Sequence, residues 1–488
     1  MTYGFANAFW AILITAAIIF LTGWPIAYCS AKYNIDMDLL TRGAGFGYLG
    51  STITSVIYAS FTFIYFSLEG SVMAQGFNIY LHIPIPIAYL MGALIIIPLV
   101  VYGMTFLSKL QAWTQPPWLA MLVVPVVAVF VRDPSVLSGW THFGGSSASG
   151  AGFNPLLMGL AAGVVLSLIA QIGEQVDYLR FMPDRTARTR SKWMWAVMLA
   201  GPGWVILGAI KQLAGSMLTS LVAPSVGLTK ADEPILMYAH ALGTFLHGAV
   251  LIGAVATVFI VMSQIKINVT NAYSGSLSWS NFFSRLTHWH PGRVVWLLLN
   301  VGIALALMEF GVFGFLNTVL GFYANVAVAW IGALVADLVI NKPLGLSPSY
   351  IEFKRAHLYN FNPVGFGAMI IASAVSIAAY FHAFGHVLQA FSPFLSLGLA
   401  FVLAPIIALV TGGRYYIARP DDYRDAATTA QPQAEVRTCS VCGEEYELAD
   451  IAYCPFHAGP ICSLCCSLEA HCHDQCKIEA MPARAVGD

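Results

Sequence analysis

Charge is what this sequence of 488 residues most lacks. Only 10% of its residues are Asp, Glu, Lys or Arg, whereas soluble domains carry about 25%. Hydrophobic residues make up 58% of the chain, a composition that only lipid tolerates as the main solvent. The sequence therefore predicts a protein that lies largely within a membrane.

The sequence also lacks any excess of basic residues. Its 23 Lys and Arg are balanced by 24 Asp and Glu, so the net charge is −1 and nothing indicates a nucleic-acid partner. Residues 1–9 contain no basic stretch before the first apolar run, so we expect no cleaved signal peptide. The chain has no nucleophile–base arrangement and no active-site motif, and we expect that it is not an enzyme.

Long apolar runs are abundant. A helix needs about 20 apolar residues to cross the hydrocarbon core, and lipid offers no other partner to backbone groups. We therefore predict an all-α membrane domain over 1–412 with about eleven transmembrane helices. The predicted spans are 7–29, 50–77, 83–104, 115–131, 155–179, 193–217, 239–265, 294–309, 312–338, 364–384 and 389–411.

Basic residues in the loops predict the orientation, because cytoplasmic loops are enriched in Lys and Arg. The loops after odd-numbered spans hold nearly all of them, and the other loops hold only Arg132 and Lys230. We expect an external N-terminus and a cytosolic tail, in a bacterial-type inner membrane. The residues after odd-numbered spans are Lys32, Arg42, Lys109, Arg180, Arg185, Arg188, Arg190, Lys192, Arg285, Arg293, Lys342, Lys354 and Arg355.

Ionisable residues inside the spans are costly and rare, which makes each one a functional candidate. Glu69 lies in span 2, and Glu174 follows Gly173, a residue that favours local unwinding of span 5. We expect both carboxylates to line a polar cavity. Either Lys211 or Lys266 is a suitable partner, and the sequence does not choose between them.

The sequence contains three recognisable motifs, Arg42-x-x-x-Phe46-Gly47-x-x-Gly50-Ser51, Asp177-Tyr178-x-Arg180, and Asn268 and Asn271 followed by Tyr273-Ser274. They resemble those of the nucleobase–cation symporter family of purine, cytosine, allantoin and hydantoin permeases. The resemblance covers about residues 8–412 and implies a leucine-transporter-like bundle of two inverted five-helix repeats plus two helices. Spans 1–11 are similar to family helices 2–12, which implies that the first family helix is absent.

The resemblance also implies a substrate site, in which an aromatic ring stacks on a flat heterocycle and polar groups bind its edge. Tyr65 and Glu69 are four residues apart and so share a helix face. For ion coupling, Ser263 would be a sodium ligand, and the Lys266 ammonium would be a substitute for sodium. The remaining substrate-binding candidates are Gln171, Glu174 and Asn268.

Cysteine is nearly absent before residue 439 and then becomes dense. Four ligand pairs in 439–476 predict a module that holds two structural zinc ions in a cross-brace. Disulfides are disfavoured because cytosolic thiols stay reduced. One zinc would be bound by Cys439, Cys442, Cys462 and Cys465, and the other by Cys454, His457, Cys472 and Cys476, with Cys465 and Cys466 competing for one place.

Two hypotheses about function follow. In the first, the chain is a transporter of the nucleobase or heterocycle permease type. In the second, it is the ligand-sensing domain of a histidine-kinase-linked receptor, and its zinc module signals to a cytosolic partner. Similar transporter-like domains with a cysteine-rich segment occur in hybrid histidine kinases. We assign 413–438 as a linker and 477–488 as a flexible tail.

Overall fold

The structure, a computed structural model, describes residues 1–147, 150–311, 315–420 and 436–478. Nine helical segments in these ranges are long and apolar enough to cross a membrane. This confirms a multi-pass helical protein. Most of the predicted linker, 413–438, and most of the predicted tail, 477–488, lie outside the described residues.

The membrane domain is a bundle of helices in which nearly every predicted span has a counterpart. Two 17-residue helices, α4 and α13, occupy predicted spans 3 and 8. The helices are α1 (Phe5–Tyr33), α2 (Met37–Thr41), α3 (Gly50–Leu81), α4 (Ile85–Val101), α5 (Met104–Arg132), α6 (Val136–Thr141), α7 (Pro155–Leu166), α8 (Ile172–Leu179), α9 (Arg190–Ala200), α10 (Gly203–Val226), α11 (Pro234–Gly243), α12 (Ala249–Thr287), α13 (Arg293–Glu309), α14 (Leu316–Ala336), α15 (Ala368–Tyr380), α16 (Gly385–Ala390) and α17 (Ser392–Thr411).

The predicted bounds of span 7, 239–265, are wrong. Helix α11 ends at Gly243, and α12 begins only after Gly248, whose φ of 94° interrupts the helix. The second half of α12 is polar, so its sequence no longer resembles a membrane span. It stays helical because it packs along α3, where Asn268, Asn271 and Ser276 are buried.

Span 5 is divided, but not at the predicted glycine. A 3-10 turn over Ser167–Gln171 separates α7 from α8, and Gly173 itself is helical. A Cβ atom at Gly173 would lie 2.5 Å from the Tyr58 ring. Gly173 therefore permits close packing of α8 on α3, and the irregular backbone lies just before it.

A buried ionic cluster joins α2, α3 and α12. The Arg285 guanidinium is 1% exposed and lies 2.6 Å from an Asp38 oxygen, while Arg42 lies 2.6 Å from the other oxygen. Ser55 donates a further hydrogen bond to Asp38. Burial alone would raise the pKa of the Asp38 carboxyl, but the charges of Arg285 and Arg42 outweigh it and lower the pKa.

The residues of the first family motif hold the turn between α2 and α3 in place. Phe46 is fully buried, and Gly47 has φ 81° with its Cα against the Tyr359 carbonyl, where a Cβ would come within 2.8 Å. Ser51 accepts a hydrogen bond from Arg285. The motif therefore connects this turn both to the 359–362 loop and to the end of α12.

The loops after spans 1 and 5 and the C-terminal end of α12 meet at one end of the bundle. The Asn34 amide donates to the Arg180 carbonyl at 2.9 Å, and Arg285 reaches Asp38 across the same end. At the opposite end, the Asn7 amide donates to the Gly152 carbonyl at 3.2 Å. The basic residues after spans 1, 5 and 7 therefore lie at one end of the bundle, and the orientation of this end in the membrane stays a prediction.

The cysteine-rich module consists of two antiparallel hairpins and two short helices. Strand β1 (Val436–Thr438) pairs with β2 (Glu445–Glu447), and β3 (Ile451–Cys454) pairs with β4 (Gly459–Cys462). Helices α18 (Ser463–Leu468) and α19 (Gln475–Ile478) follow. The module is docked on the same face of the bundle as the basic loops, with His288 hydrogen-bonded to the Ser467 carbonyl at 2.8 Å.

Removing the carboxylate from the ionic cluster should destabilise the membrane domain. Asp38→Asn would leave the buried Arg285 and Arg42 charges uncompensated, a loss of about 3–5 kcal/mol in unfolding free energy. A lowered thermal unfolding midpoint of the detergent-solubilised protein would report this. Asp184→Asn, the same substitution at an exposed loop residue, is the matched control. Equal midpoints for the two variants would refute a stabilising role for the cluster.

Candidate functional site

A polar cluster surrounds the 3-10 turn that divides span 5. The Tyr65 hydroxyl of α3 lies 2.6 Å from the Ser167 hydroxyl at the start of this turn. Glu69 lies one helical turn further along α3 and is half-buried. The i,i+4 spacing thus places the ring and the carboxylate on one face, as predicted, next to the irregular backbone.

Glu174 of α8 completes the acidic part of this cluster. It is only 4% exposed. One carboxylate oxygen accepts a hydrogen bond from Thr270 at 3.4 Å, and the other, Oε1, has no hydrogen-bond partner. The Gln171 amide is close enough to act on this carboxyl group, and so is the charge of Glu69. Four of the five predicted substrate-binding residues therefore lie together.

Glu69 has its own neighbours on α10 and α12. The Lys211 ammonium is the cation whose charge acts on it, and the Gln264 amide interacts with it as well. The Oε1 atom of Gln264 is buried without a hydrogen-bond partner. Of the two lysines that the sequence left open, the structure thus places Lys211 near Glu69.

Lys266 instead faces α5. Its ammonium donates to the Gln111 carbonyl at 3.1 Å and to the Thr114 hydroxyl at 3.0 Å. Ser263 accepts from the Trp118 indole N–H at 2.6 Å. Both residues proposed for ion coupling are therefore bound to side chains or backbone of α5, and their coupling role stays a prediction.

Asn268 joins α12 to α3. Its amide donates to the Phe66 carbonyl at 3.3 Å, and its oxygen accepts from the Asn271 amide at 3.1 Å. Asp177 has a comparable position, since it accepts from the Tyr58 hydroxyl at 3.0 Å and from Ser274. These contacts hold α3, α8 and α12 around the polar cluster.

Sequence reasoning did not single out Ser167, Thr270 or Gln264 as functional residues. Ser167 and Thr270 are small hydroxyl residues in apolar helices, where they often bond only to their own backbone. Gln264 lies at the end of predicted span 7, but its position opposite Glu69 depends on how α12 packs against α3. The only signal in the sequence was the Gln264 amide within an apolar run, and the sequence does not indicate which neighbouring helix this amide faces.

The first predicted metal cluster is brought together. The ligand atoms of Cys439, Cys442, Cys462 and Cys465 all lie within 4.8 Å of one another. Sulfur atoms bound tetrahedrally to zinc at about 2.3 Å would be separated by about 3.8 Å, so the donor set fits this ion. The predicted pairing of the first and third ligand pairs therefore matches the structure.

The thiol of Cys439 has the chemistry of a metal ligand. Burial opposes its ionisation, but the backbone N–H groups of Cys442, Cys462 and Val441 outweigh burial and lower its pKa to about 6. The thiolate is the form that binds metals, so this environment favours binding. The turn Cys439–Gly443, closed by a hydrogen bond from the Gly443 N–H to the Cys439 carbonyl, positions the N–H groups of Val441 and Cys442, and the end of β4 positions that of Cys462.

Comparison with known proteins shows the fold of the membrane domain. No family model and no curated protein matches the sequence. Mhp1, a nucleobase-cation-symport-1 family transporter, is similar in its closed conformation with bromovinylhydantoin bound, at 16% identity and TM-score 0.60, over 84% of this chain and 88% of that chain. The inward-facing conformation of Mhp1 is similar at 15% identity and TM-score 0.57, over 85% of this chain and 86% of that chain.

These similarities confirm the predicted likeness to nucleobase–cation symporters as a likeness of fold. The chain has a helical membrane-transporter fold like that of Mhp1. The likeness to the sensory half of hybrid histidine kinases stays a prediction.

The cluster of four cysteines should hold a thiophilic metal ion in the purified full-length chain. Cys442→Ser should lower the metal content measured by mass spectrometry, because a tetrahedral site loses one of its four ligands. Cys29→Ser is the control, since Cys29 lies in α1, far from the tail in sequence. A metal content unaffected by Cys442→Ser would contradict the assignment.

Proposed function

We propose that this protein is a membrane transporter for a small planar heterocycle of the nucleobase or hydantoin type. The observation that carries the proposal is the pair of buried, unpartnered acceptors, Glu174 Oε1 and Gln264 Oε1, both near Glu69. A buried acceptor without a donor costs about 1–3 kcal/mol. A ligand that presents several N–H groups in one plane would remove that cost.

Each residue of the cluster has a role in this proposal. The Tyr65 ring would lie against the flat face of the ligand, because stacking accepts any planar ring. Glu69 and Glu174 would accept N–H groups from the ligand edge, and Gln171 would select between donors and acceptors. Lys211 would balance the Glu69 charge, which otherwise makes burial of a second carboxylate costly.

The fold supports the location of this site. Transporters of this architecture bind substrates near the bilayer midplane, where helices are discontinuous. The interruption at Ser167–Gln171 is such a place, and two of the proposed ligand contacts, Gln171 and Glu174, lie at its end or just after it. Mhp1, which has a similar fold, is described with bromovinylhydantoin bound.

The tail is part of the proposal as a structural zinc module. Two zinc ions would stabilise a segment too short to build its own hydrophobic core. We place this module in the cytosol of a bacterial-type inner membrane, because it docks on the face where the basic loops meet. Ser263 and Lys266 remain our candidates for ion coupling.

A sensing role is the second candidate, and one contact favours it. Arg355, which follows the 351–354 segment of the membrane domain, donates to the Cys466 and Glu469 carbonyls of the module at 2.7 and 2.6 Å. A change in the bundle would therefore reach the module directly. The similar structures give this role no support, so transport remains the primary proposal.

Loss of one acidic side chain should weaken ligand binding while the shape is kept. Glu69→Gln should reduce affinity for uracil, xanthine or hydantoin about 5- to 150-fold, the equivalent of about 1–3 kcal/mol. The measurement is a ligand-induced thermal shift of the purified protein. Glu309→Gln is the matched control, because Glu309 is an exposed carboxylate at the end of α13.

Tyr65→Ala should remove the stacking surface and reduce the same shift, whereas Tyr65→Phe should keep most of it. The proposal would be wrong if the parent protein showed no shift with any of these heterocycles. It would also be wrong if Glu69→Gln and Tyr65→Ala kept the full shift of the parent.

Labelling with a membrane-impermeant maleimide should establish the orientation. A cysteine introduced as Ser146→Cys should react on intact cells, because Ser146 is exposed at the end of the bundle opposite the basic loops. Arg188→Cys should react only after the cells are permeabilised. The reverse pattern would place the module outside the cytosol and overturn the proposed localisation.

A further inference from the structure

The module contains a second group of cysteines around a cavity of about 120 Å³. Cys454 and Cys472 are buried, and Cys466 and Cys476 are half-buried. All four residues line this one cavity. Their sulfur atoms lie farther apart than those of the first cluster. Among the described residues, only the first cluster has all its ligand atoms within 4.8 Å of one another.

His457, which the sequence pattern pairs with Cys454, does not line this cavity. Its Nε2 atom lies 2.9 Å from a Glu469 oxygen, and its ring packs edge-on against Phe456. The Cys-x2-His spacing therefore brings an imidazole near the cavity but turns it toward a carboxylate. Cys466 lines the cavity instead.

The two adjacent cysteines of α18 are divided between the two groups. Cys465 belongs to the first cluster, and Cys466 points into the cavity because successive side chains on a helix diverge by about 100°. The carbonyl of Cys466 accepts a hydrogen bond from Arg355 at 2.7 Å, which holds this part of α18 in place.

The charges around the cavity suit a tetrathiolate site. A divalent ion with four thiolates carries a net charge of about −2, and buried net charge is costly unless it is compensated. The charge of Arg355 acts on both Cys466 and Cys472, and the charges of Arg419 and Lys477 act on Cys476. Two carboxylates, Asp474 and Glu469, also line the cavity, and Asp474 pairs with Arg355 and Lys477, so the cations near the sulfur atoms outnumber the carboxylates by one.

We propose that Cys454, Cys466, Cys472 and Cys476 form a second, all-cysteine metal site for Zn²⁺, with His457 outside it. The site rests on the proposal that the tail is a metal module. It has Cys466 as a ligand in place of His457, the residue that the sequence spacing predicts. Binding would draw the four sulfur atoms together around the ion. Because Arg355 is bonded to the Cys466 carbonyl, the bound ion would also fix the module on the membrane domain.

Metal content of the full-length protein in detergent tests the proposal. The parent should hold two Zn²⁺ per chain by mass spectrometry. Cys466→Ser should lower this to about one, and His457→Gln should keep two. With Co²⁺ in place of Zn²⁺, the thiolate-to-metal charge-transfer band should fall by about half in Cys466→Ser and stay unchanged in His457→Gln.

Four results would overturn the proposal or its basis. One ion lost in His457→Gln and none in Cys466→Ser would establish the Cys3His ligand set. A single ion in the parent would exclude the second site and leave the first intact, whereas no ion at all would refute the metal module itself. If Cys466→Ser does not fold, Cys476→Ser tests the same site, and a retained second ion there contradicts it.

Discussion

The position of α12 relative to α3 depends on the buried Arg285 side chain. Its guanidinium reaches Asp38 and Ser55 and thereby joins three segments at the face where the basic loops meet. A guanidinium this deep in the protein is tolerable only when its charge is paired and its N–H groups find acceptors. This pairing holds α12 against α3 at one end, and the Asn268 amide bonded to the Phe66 carbonyl joins the two helices further along, where Glu69 and Gln264 lie on opposite helices.

The polar cluster shows the reverse arrangement, in which pairing is incomplete. Tyr65 and Ser167 satisfy each other, while acceptors of Glu174 and Gln264 stay unpartnered. Within one membrane domain, the fully paired ionic cluster around Asp38 fixes the helices. The partly paired polar cluster has acceptors that a ligand could supply with N–H donors. This division follows the general tendency of structural polar groups to be satisfied and of binding sites to be preorganised for a partner.

The sequence predicted what depends on local pattern. Apolar runs located the helices, and Cys-x2-Cys spacing assigned Cys439, Cys442, Cys462 and Cys465 to one cluster. It could not predict what depends on packing. The polar half of α12 is helical because it packs along α3. Gly173 leaves room for the Tyr58 ring, and the Lys266 ammonium binds to α5. Which of Cys466 and His457 lines the second cavity depends on the direction of α18, which spacing does not encode.

Arg355 has a consequence for protein engineering. It packs over the Tyr48 ring at 5.8 Å and also holds two carbonyl groups of the cysteine-rich segment. This segment therefore cannot be moved to another protein without the residues that it contacts in the membrane domain. In a chimaera that joins 436–478 to another permease, the segment would retain its hairpins. It would lack its docking contacts unless the 351–362 loop were transferred as well. The smallest transferable unit of this protein is thus discontinuous in sequence.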